Sequence, residues 1–284
     1  MAFTLSDLLQ GAYRKLGQTE TFSATGGSTS TAIDTKFKEK FQDDTLTDFT
    51  LFVAKDAGGA GAAPEGEFSV ITTYVESTNT ISISPSVTVA IAAGDRITLA
   101  SNIYPLQEMI QLANDTLVEL GPIILPYTTL STVAAQTEYS IPVAQKRQVV
   151  RVQVATRSDT DDNQWKDLAT GSWEVMPNTA GSVDLLILRD ELDAGWTLKV
   201  WYKADHPYVE TYDDVILEHI HPTVAVAGLR VKALEWLNSK ISGSEDFYID
   251  SLNDARREFD IAQIKHPIPR MKKKNRGLYI GSYD

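Results

Sequence analysis

Tyr104-Pro105-Leu106-Gln107-Glu108-Met109-Ile110-Gln111-Leu112-Ala113-Asn114-Asp115-Thr116-Leu117-Val118-Glu119-Leu120-Gly121-Pro122 decides how the fold is read, because it interrupts two regions of a different pattern. Leu106, Met109, Ile110, Ala113, Leu117 and Leu120 recur at helical spacing and share one apolar face. Pro105 suits a first turn, where its missing N–H costs nothing, and Gly121-Pro122 ends the run. The spacing predicts a helix over about residues 105–120.

Upstream, from about 48 to 100, the period changes to two. Phe68, Val70, Thr72 and Tyr74 read as one strand, Ile81 and Ile83 as another, and Val87, Val89 and Ile91 as a third. Ile97 and Leu99 follow the turn Gly94-Asp95. Short strands separated by Gly, Pro and Asn signal an all-β unit. Residues 23–31 are small and polar and read as loop, and Asp56 to Gly66 reads as an exposed loop. Downstream, strands are expected at Glu138 to Ile141, Val149 to Val154, Trp173 to Met176, Val183 to Leu188 and Trp196 to Tyr202. They suggest a small antiparallel sandwich or barrel.

Both ends are helical. Leu5, Leu8, Leu9, Ala12, Tyr13 and Leu16 line one face of a helix over 4–16, with Thr4 and Asp7 in capping-box positions and Gly17 as its stop. Near the other end, Ile216, Leu217 and Ile220 lead through His221-Pro222 to Val224–Leu237, and proline inside that run is expected to kink or break it. Ser244 is placed to cap a last helix carrying Tyr248, Leu252, Ala255, Phe259 and Ala262.

The resulting class is α+β: a discontinuous helical bundle with two inserted antiparallel β units and an extended C-terminal arm. Residues 1–17, 103–125 and 207–266 are the three parts of the bundle. Residues 18–102 form an inserted β domain, 126–206 an inserted β sandwich or barrel, and 267–284 the arm.

Composition narrows the function. The chain has 284 residues, is 43% hydrophobic and 23% charged, and carries a formal net charge of −12. These proportions suit a folded protein of two or more packed units and exclude a disordered or collagenous one. No apolar run approaches the roughly 18–20 residues of a membrane span, and the opening Met1-Ala2-Phe3-Thr4 carries no sign of a secretory signal. Cysteine is absent, which removes disulfides, thiolate metal sites and cysteine nucleophiles. An acidic chain has no sequence-independent grip on DNA, and suits the wall of a passage that DNA must cross without sticking.

The motifs of reaction chemistry are incomplete. His219 and His221 point about 200° apart on a helix and share no metal there, although on a strand they would lie on one side. His206 and His266 complete the set, and no HExxH pattern joins any of them. Asp159-Thr160-Asp161-Asp162-Asn163 starts like a calcium loop but has Gln164 where glycine is required and Thr170 where the bidentate glutamate belongs. Gly58-Gly59-Ala60-Gly61 lacks the Lys-Ser or Lys-Thr of a phosphate loop, and no Gly-x-Ser-x-Gly elbow occurs. The expectation is a protein that is not an enzyme and takes no metal or cofactor.

The C-terminus is the most distinctive segment. Arg270, Lys272, Lys273, Lys274 and Arg276 place five positive charges within seven residues, against −17 for the rest of the chain (−12 minus 5). A solvated basic end is one reading, and phosphate contact is another. The favoured reading is an arm docking on an acidic neighbour. Pro267 and Pro269 extend it, Leu278, Tyr279, Ile280 and Tyr283 fill apolar grooves or add a strand to a partner's sheet, and Gly277 and Gly281 allow bends.

Five stretches carry a family resemblance. They are Leu5-Ser6-Asp7-Leu8-Leu9 running to Leu16-Gly17; Ala92-Ala93-Gly94-Asp95-Arg96-Ile97; Tyr104-Pro105-Leu106 running through Asn114-Asp115-Thr116-Leu117 to Leu120-Gly121; Glu138-Tyr139-Ser140-Ile141-Pro142; and Leu252-Asn253-Asp254-Ala255-Arg256-Arg257-Glu258. Together the layout resembles structural proteins of tailed bacteriophages, most of all the head-to-tail adaptors (connector, or head completion, proteins). The resemblance implies a virion protein made in the host cytoplasm that assembles as a ring, usually of twelve copies, beneath the portal in the neck. It implies portal, tail or neck proteins as partners, with the arm 267–284 engaging the portal. Genomic DNA then passes an acidic channel without specific binding. The large β region at 18–102 departs from the shortest adaptors.

Two other readings exist. A receptor- or carbohydrate-binding tail or neck component would use the β units, with Trp165, Trp173 and Trp196 as its aromatics. A cell-wall hydrolase would need a pair of carboxylates, and no pair is singled out by spacing.

Overall fold

A computed structural model describes residues 2–59, 61–141, 149–155, 165–176, 184–240 and 246–268, with backbone alone at Thr129 and at 246–248. They fall into two compact units. One joins the residues up to Leu120 with His206–Ile268, and the other is Gly121–Asp205.

The first unit opens with helix α1 (Leu5–Lys15). Its capping box forms as the sequence predicts. The Thr4 hydroxyl oxygen accepts the Asp7 N–H at 3.3 Å, and the Asp7 carboxylate accepts the Thr4 N–H at 3.1 Å. Gly17, at φ 70°, takes the left-handed conformation that lets the chain leave the helix. Seven strands follow: β1 (Thr19–Ser23), β2 (Gly26–Gly27), β3 (Thr31–Ile33), β4 (Thr50–Lys55), β5 (Phe68–Val75), β6 (Thr80–Ser84) and β7 (Arg96–Ala100). They build one antiparallel sheet in the order β1-β7-β4-β5-β6-β3-β2. Central strand β4 is apolar on both faces. Leu51 and Val53 join a core with Phe22, Phe37, Ile71 and Tyr74, while Phe52 turns the other way and meets the Tyr13 ring of α1 edge-on at 5.8 Å. Helices α2 (Leu106–Glu119), α3 (Pro222–Lys240) and α4 (Asp246–Lys265) complete the unit.

The second unit holds β8 (Ile123–Ser131), β9 (Glu138–Ile141), β10 (Val149–Ala155), β11 (Lys166–Asp167), β12 (Trp173–Met176), β13 (Asp184–Leu188) and β14 (Thr197–Ala204). A four-stranded sheet runs β11-β10-β14-β8 and a three-stranded one β12-β13-β9. Tyr139, Ile141, Leu186 and Leu188 of the smaller sheet share a core with Val152, Val154, Leu198 and Val200 of the larger. Alternate residues of each strand thus face their counterparts on the opposing sheet.

This architecture corrects the expected fold class. The chain is mostly β, with three antiparallel sheets and four helices among the described residues, rather than a discontinuous helical bundle carrying β insertions. The reason is where the apolar surface goes. Each β region closes a core of its own, so the sheets are principal layers and not appendages of the helices.

Several local expectations also change. Residues 87–91 form a loop instead of a strand. The Glu67 carboxylate accepts the Thr88 N–H at 2.7 Å and the Thr88 hydroxyl, which satisfies the loop from the side while Val87 and Ile91 still bury. The polar run at 23–31 contributes β2 and the start of β3. Asp56, expected in an exposed loop, is buried, and its N–H donates to the Glu65 carboxylate at 3.2 Å. The run before Pro222 that contains Ile216, Leu217 and Ile220 is not helical. The chain there crosses as an extended strap, and Pro222 opens α3, at a position where its ring suits the first turn. The proposed cap Ser244 and the turn 159–164 lie outside the described residues.

Candidate functional site

The helical layer of the first unit gathers most of the stretches that carried the resemblance. Helix α3 lies at its centre, with α1, α2 and α4 all packed against it. Val224, Ala225, Ala227, Leu229, Val231, Ala233 and Leu234 bury around most of its circumference, as a helix enclosed by neighbours requires. Glycines set two of the crossings. A Cβ at Gly11 would stand 2.9 Å from Val226 Cγ2, and one at Gly228 would stand 2.8 Å from Thr116 Cγ2 and 3.1 Å from the Phe259 ring.

Charged side chains tie the same helices across their rims. Glu258 on α4 pairs with Lys15 of α1 and, at 2.7 Å, with Arg230 of α3. Burial pushes the Glu258 carboxyl up, but the Lys15 ammonium and Arg230 guanidinium outweigh it and hold the group below its ordinary range. Arg256 pairs with Glu235 at 2.8 Å, and Lys232 pairs with Glu119.

The strap 206–217 is fastened to the layer by side chains. Asn114, buried in α2, donates to the Ile110 and Val209 carbonyls at 2.9 and 2.8 Å and accepts the Val209 N–H at 2.9 Å. His206 Nε2 accepts the Leu217 N–H at 3.0 Å, so the proton sits on Nδ1, which donates to the Pro207 carbonyl at 2.7 Å. Burial pushes the pKa of His206 down, partly offset by that carbonyl. Asp214 accepts the N–H groups of Glu210 and Thr211 at 2.6 and 2.7 Å, and these bonds hold its carboxyl low. Ile216 N–H reaches the Phe3 carbonyl at 2.8 Å, closing the strap onto the start of α1.

The expected arm begins beside this layer. His266, at the end of α4, stacks on His221 with ring centroids 3.6 Å apart and planes 3° from parallel. His221 Nδ1 accepts the Thr223 N–H at 3.2 Å, so the stack joins the start of α3 to the end of α4. Pro267 follows and is exposed. Pro269, Arg270, Lys272, Lys273, Lys274, Arg276, Leu278, Tyr279, Ile280 and Tyr283 lie outside the described residues. No group of three or more His, Asp or Glu able to hold a metal occurs among the described residues.

The tryptophans of the second unit are engaged within it. Trp173 and Trp196 pack against its core. The Lys199 ammonium lies 4.7 Å from the Trp165 ring and 5.1 Å from that of Trp201, whose indole N–H donates to Gln153 at 2.7 Å.

Sequence reading missed the helical clamps and a cleft of about 230 Å³ between α2, α3 and α4. Nothing local to Asn114 signals a clamp on Val209, 95 residues away, and Glu258 lies 243 residues from Lys15, beyond any local pattern. What the layer offers is a set of helices braced by ion pairs and hydrogen bonds. Among the described residues no helix is long and apolar enough to cross a membrane. Compared with known proteins, the chain matches no protein-family model and no curated protein.

Proposed function

We propose that the chain is a structural protein of a tailed-phage virion, resembling the head-to-tail adaptor that forms a ring under the portal and joins it to the tail. One observation carries the reading. The resembling stretches at 5–17, 104–121 and 252–258 each contribute to fastening the helical layer, through the α1 capping box, the Asn114 clamp on Val209 and the Glu258 pairs. A subunit that transmits force between neighbours needs such bracing. Its mostly β body is larger than that of small helical adaptors, and in this reading the sheets meet tail or neck proteins. The net charge of −12 repels DNA phosphates, so the genome slides past without specific binding. The arm 267–284 anchors on the portal, its cations and its Leu-Tyr-Ile run acting together.

A carbohydrate-binding role draws less support, because Trp173 and Trp196 pack inward and Lys199 sits over Trp165. Deleting residues 267–284 tests the adaptor reading. The truncated protein is expected to keep its melting temperature and lose binding to its candidate portal. Undiminished portal binding would overturn the arm's role.

A further inference from the structure

We propose that the basic arm 267–284 folds back along its own chain onto the strap and the exposed stripe of α2, and is stored there until the portal takes it. The inference rests on the adaptor reading above and adds regulation to its portal-binding segment.

The root of the arm sits where the strap ends. The His266 ring stacks on that of His221 at 3.6 Å, and Pro267 follows. His221 in turn comes three residues after Glu218 of the strap. From position 267 to 280 the arm has fourteen residues, the same number as from Tyr208 to His221. That stretch is shortened by turns, since the Asp214 and Ile220 N–H groups reach back to the Thr211 and Leu217 carbonyls at 3.1 and 2.9 Å. An extended arm therefore spans it with length to spare.

Charge favours the same path. Two stretches of the sequence carry no Lys or Arg, 97–145 and 204–229. The fold joins them side by side, through the Asn114 clamp on Val209 and a bond from Gln111 to the Tyr208 hydroxyl at 3.0 Å. Their shared surface exposes Glu210, Asp213 and Glu218 on the strap and Glu108 and Asp115 on α2. None of these five carboxylates forms an ion pair among the described residues. Burial first, then the charges of Glu67 and Asp213, push the Tyr212 pKa up, which marks a negative field beside the strap. The arm brings Arg270, Lys272, Lys273, Lys274 and Arg276 to it.

Apolar groups stand at the far end of the path. Tyr208 is 58% exposed, and Val118, on the same α2 stripe as Gln111 and Asp115, is 49% exposed. They lie where Leu278, Tyr279 and Ile280 would arrive after the cations. Exposed charge pairs are each worth little and are screened by salt, so the stored arm leaves the melting temperature unchanged and yields to a portal that binds the same groups.

The lack of native cysteine makes the test direct. A nitroxide on full-length Gly277→Cys is expected to broaden amide signals of 208–218 and of the α2 stripe in about 50 mM salt, and to stop doing so near about 500 mM. Nitroxide-labelled chain mixed with isotope-labelled parent is expected to leave the parent's signals unchanged, because the contact lies within one chain. Broadening in that mixture would give the surface to a second copy and overturn the fold-back. Broadening elsewhere in the chain, or none at low salt, would overturn it too. As a second variant, Glu210→Gln/Asp213→Asn/Glu218→Gln alters only exposed, unpaired carboxylates. It is expected to melt like the parent, to lose the broadening, and to bind the candidate portal on the order of fivefold more tightly, since no stored arm has to be released. Equal portal affinity in the two chains would overturn the storage role. If neither chain binds the portal, the adaptor reading fails, while the broadening still decides the fold-back.

Discussion

Asn114 and Val209 pair as two strand residues do, exchanging donor and acceptor: the Asn114 amide donates to the Val209 carbonyl at 2.8 Å and its oxygen accepts the Val209 N–H at 2.9 Å. A side chain thus stands in for a neighbouring strand. It satisfies the backbone of a segment that crosses the helical layer without secondary structure of its own, and buried backbone groups require such partners.

Replacing Asn114 with leucine keeps the branched heavy-atom shape and removes both bonds to Val209. Two buried backbone groups of Val209 lose their partners, so a loss of about 2–4 kcal/mol is expected for the first unit. Urea unfolding followed by a probe in that unit measures it, with faster exchange of the Val209 amide as a local readout. A loss below about 1 kcal/mol would show that the strap finds other partners.

His206 makes the strap sensitive to acid. Its Nε2 must stay unprotonated to accept the Leu217 N–H, and burial holds the folded-state pKa below the ordinary value of 6.5. The unfolded chain therefore binds this proton more readily. Its contribution to stability is complete above about pH 6.5 and declines as the pH falls from there toward the folded value. Melting curves of the parent and His206→Gln across this window are expected to differ in slope, the variant being flatter. Equal slopes would remove His206 as the source.

Glu258 acts in a lower window. Its pairs with Lys15 and Arg230 depress the carboxyl pKa, so their contribution is present above the ordinary carboxylate value of 4.5 and is lost as the pH falls through the folded value. Because the side chain is 36% exposed, solvent screens the pairs, and Glu258→Gln is expected to cost only about 1 kcal/mol at neutral pH. Denaturant unfolding at pH 7 and pH 3 compares the two proteins. A gap that does not shrink at pH 3 would mean that packing, not charge, carries the effect.

Legibility in the sequence followed the range of each interaction. The Thr4–Asp7 capping box, the apolar face of α2 and the alternation in β5, β6, β7 and β14 are local and were readable. Strand β8 was missed because Pro126 interrupts its alternation, although Pro126 is accommodated in a strand that, among the described residues, pairs with β14 alone. Val87, Val89 and Ile91 alternate like a strand, but Glu67 captures their loop. The His221-Pro222 pair looked like a kink because the extended run before it also contains Ile216, Leu217 and Ile220, which bury as a strap. The fold class was misjudged for a related reason. Helical faces announce that they need partners, whereas the cores the sheets close for themselves depend on pairings such as β1 with β7 and β4 with β7, which join residues far apart in sequence. The site was less legible still, since Glu258, Arg230 and Lys15 come from three helices, and all of the basic arm beyond Ile268 lies outside the described residues.

The adaptor account is tested most directly by electron microscopy of the native particle, or of this protein mixed with its candidate portal. The account predicts a ring of copies between portal and tail, twelvefold as the resemblance implies, with density for the arm 267–284 on the portal. Density at a fibre tip, or none on the portal, would contradict it and favour a binding component built on the β units.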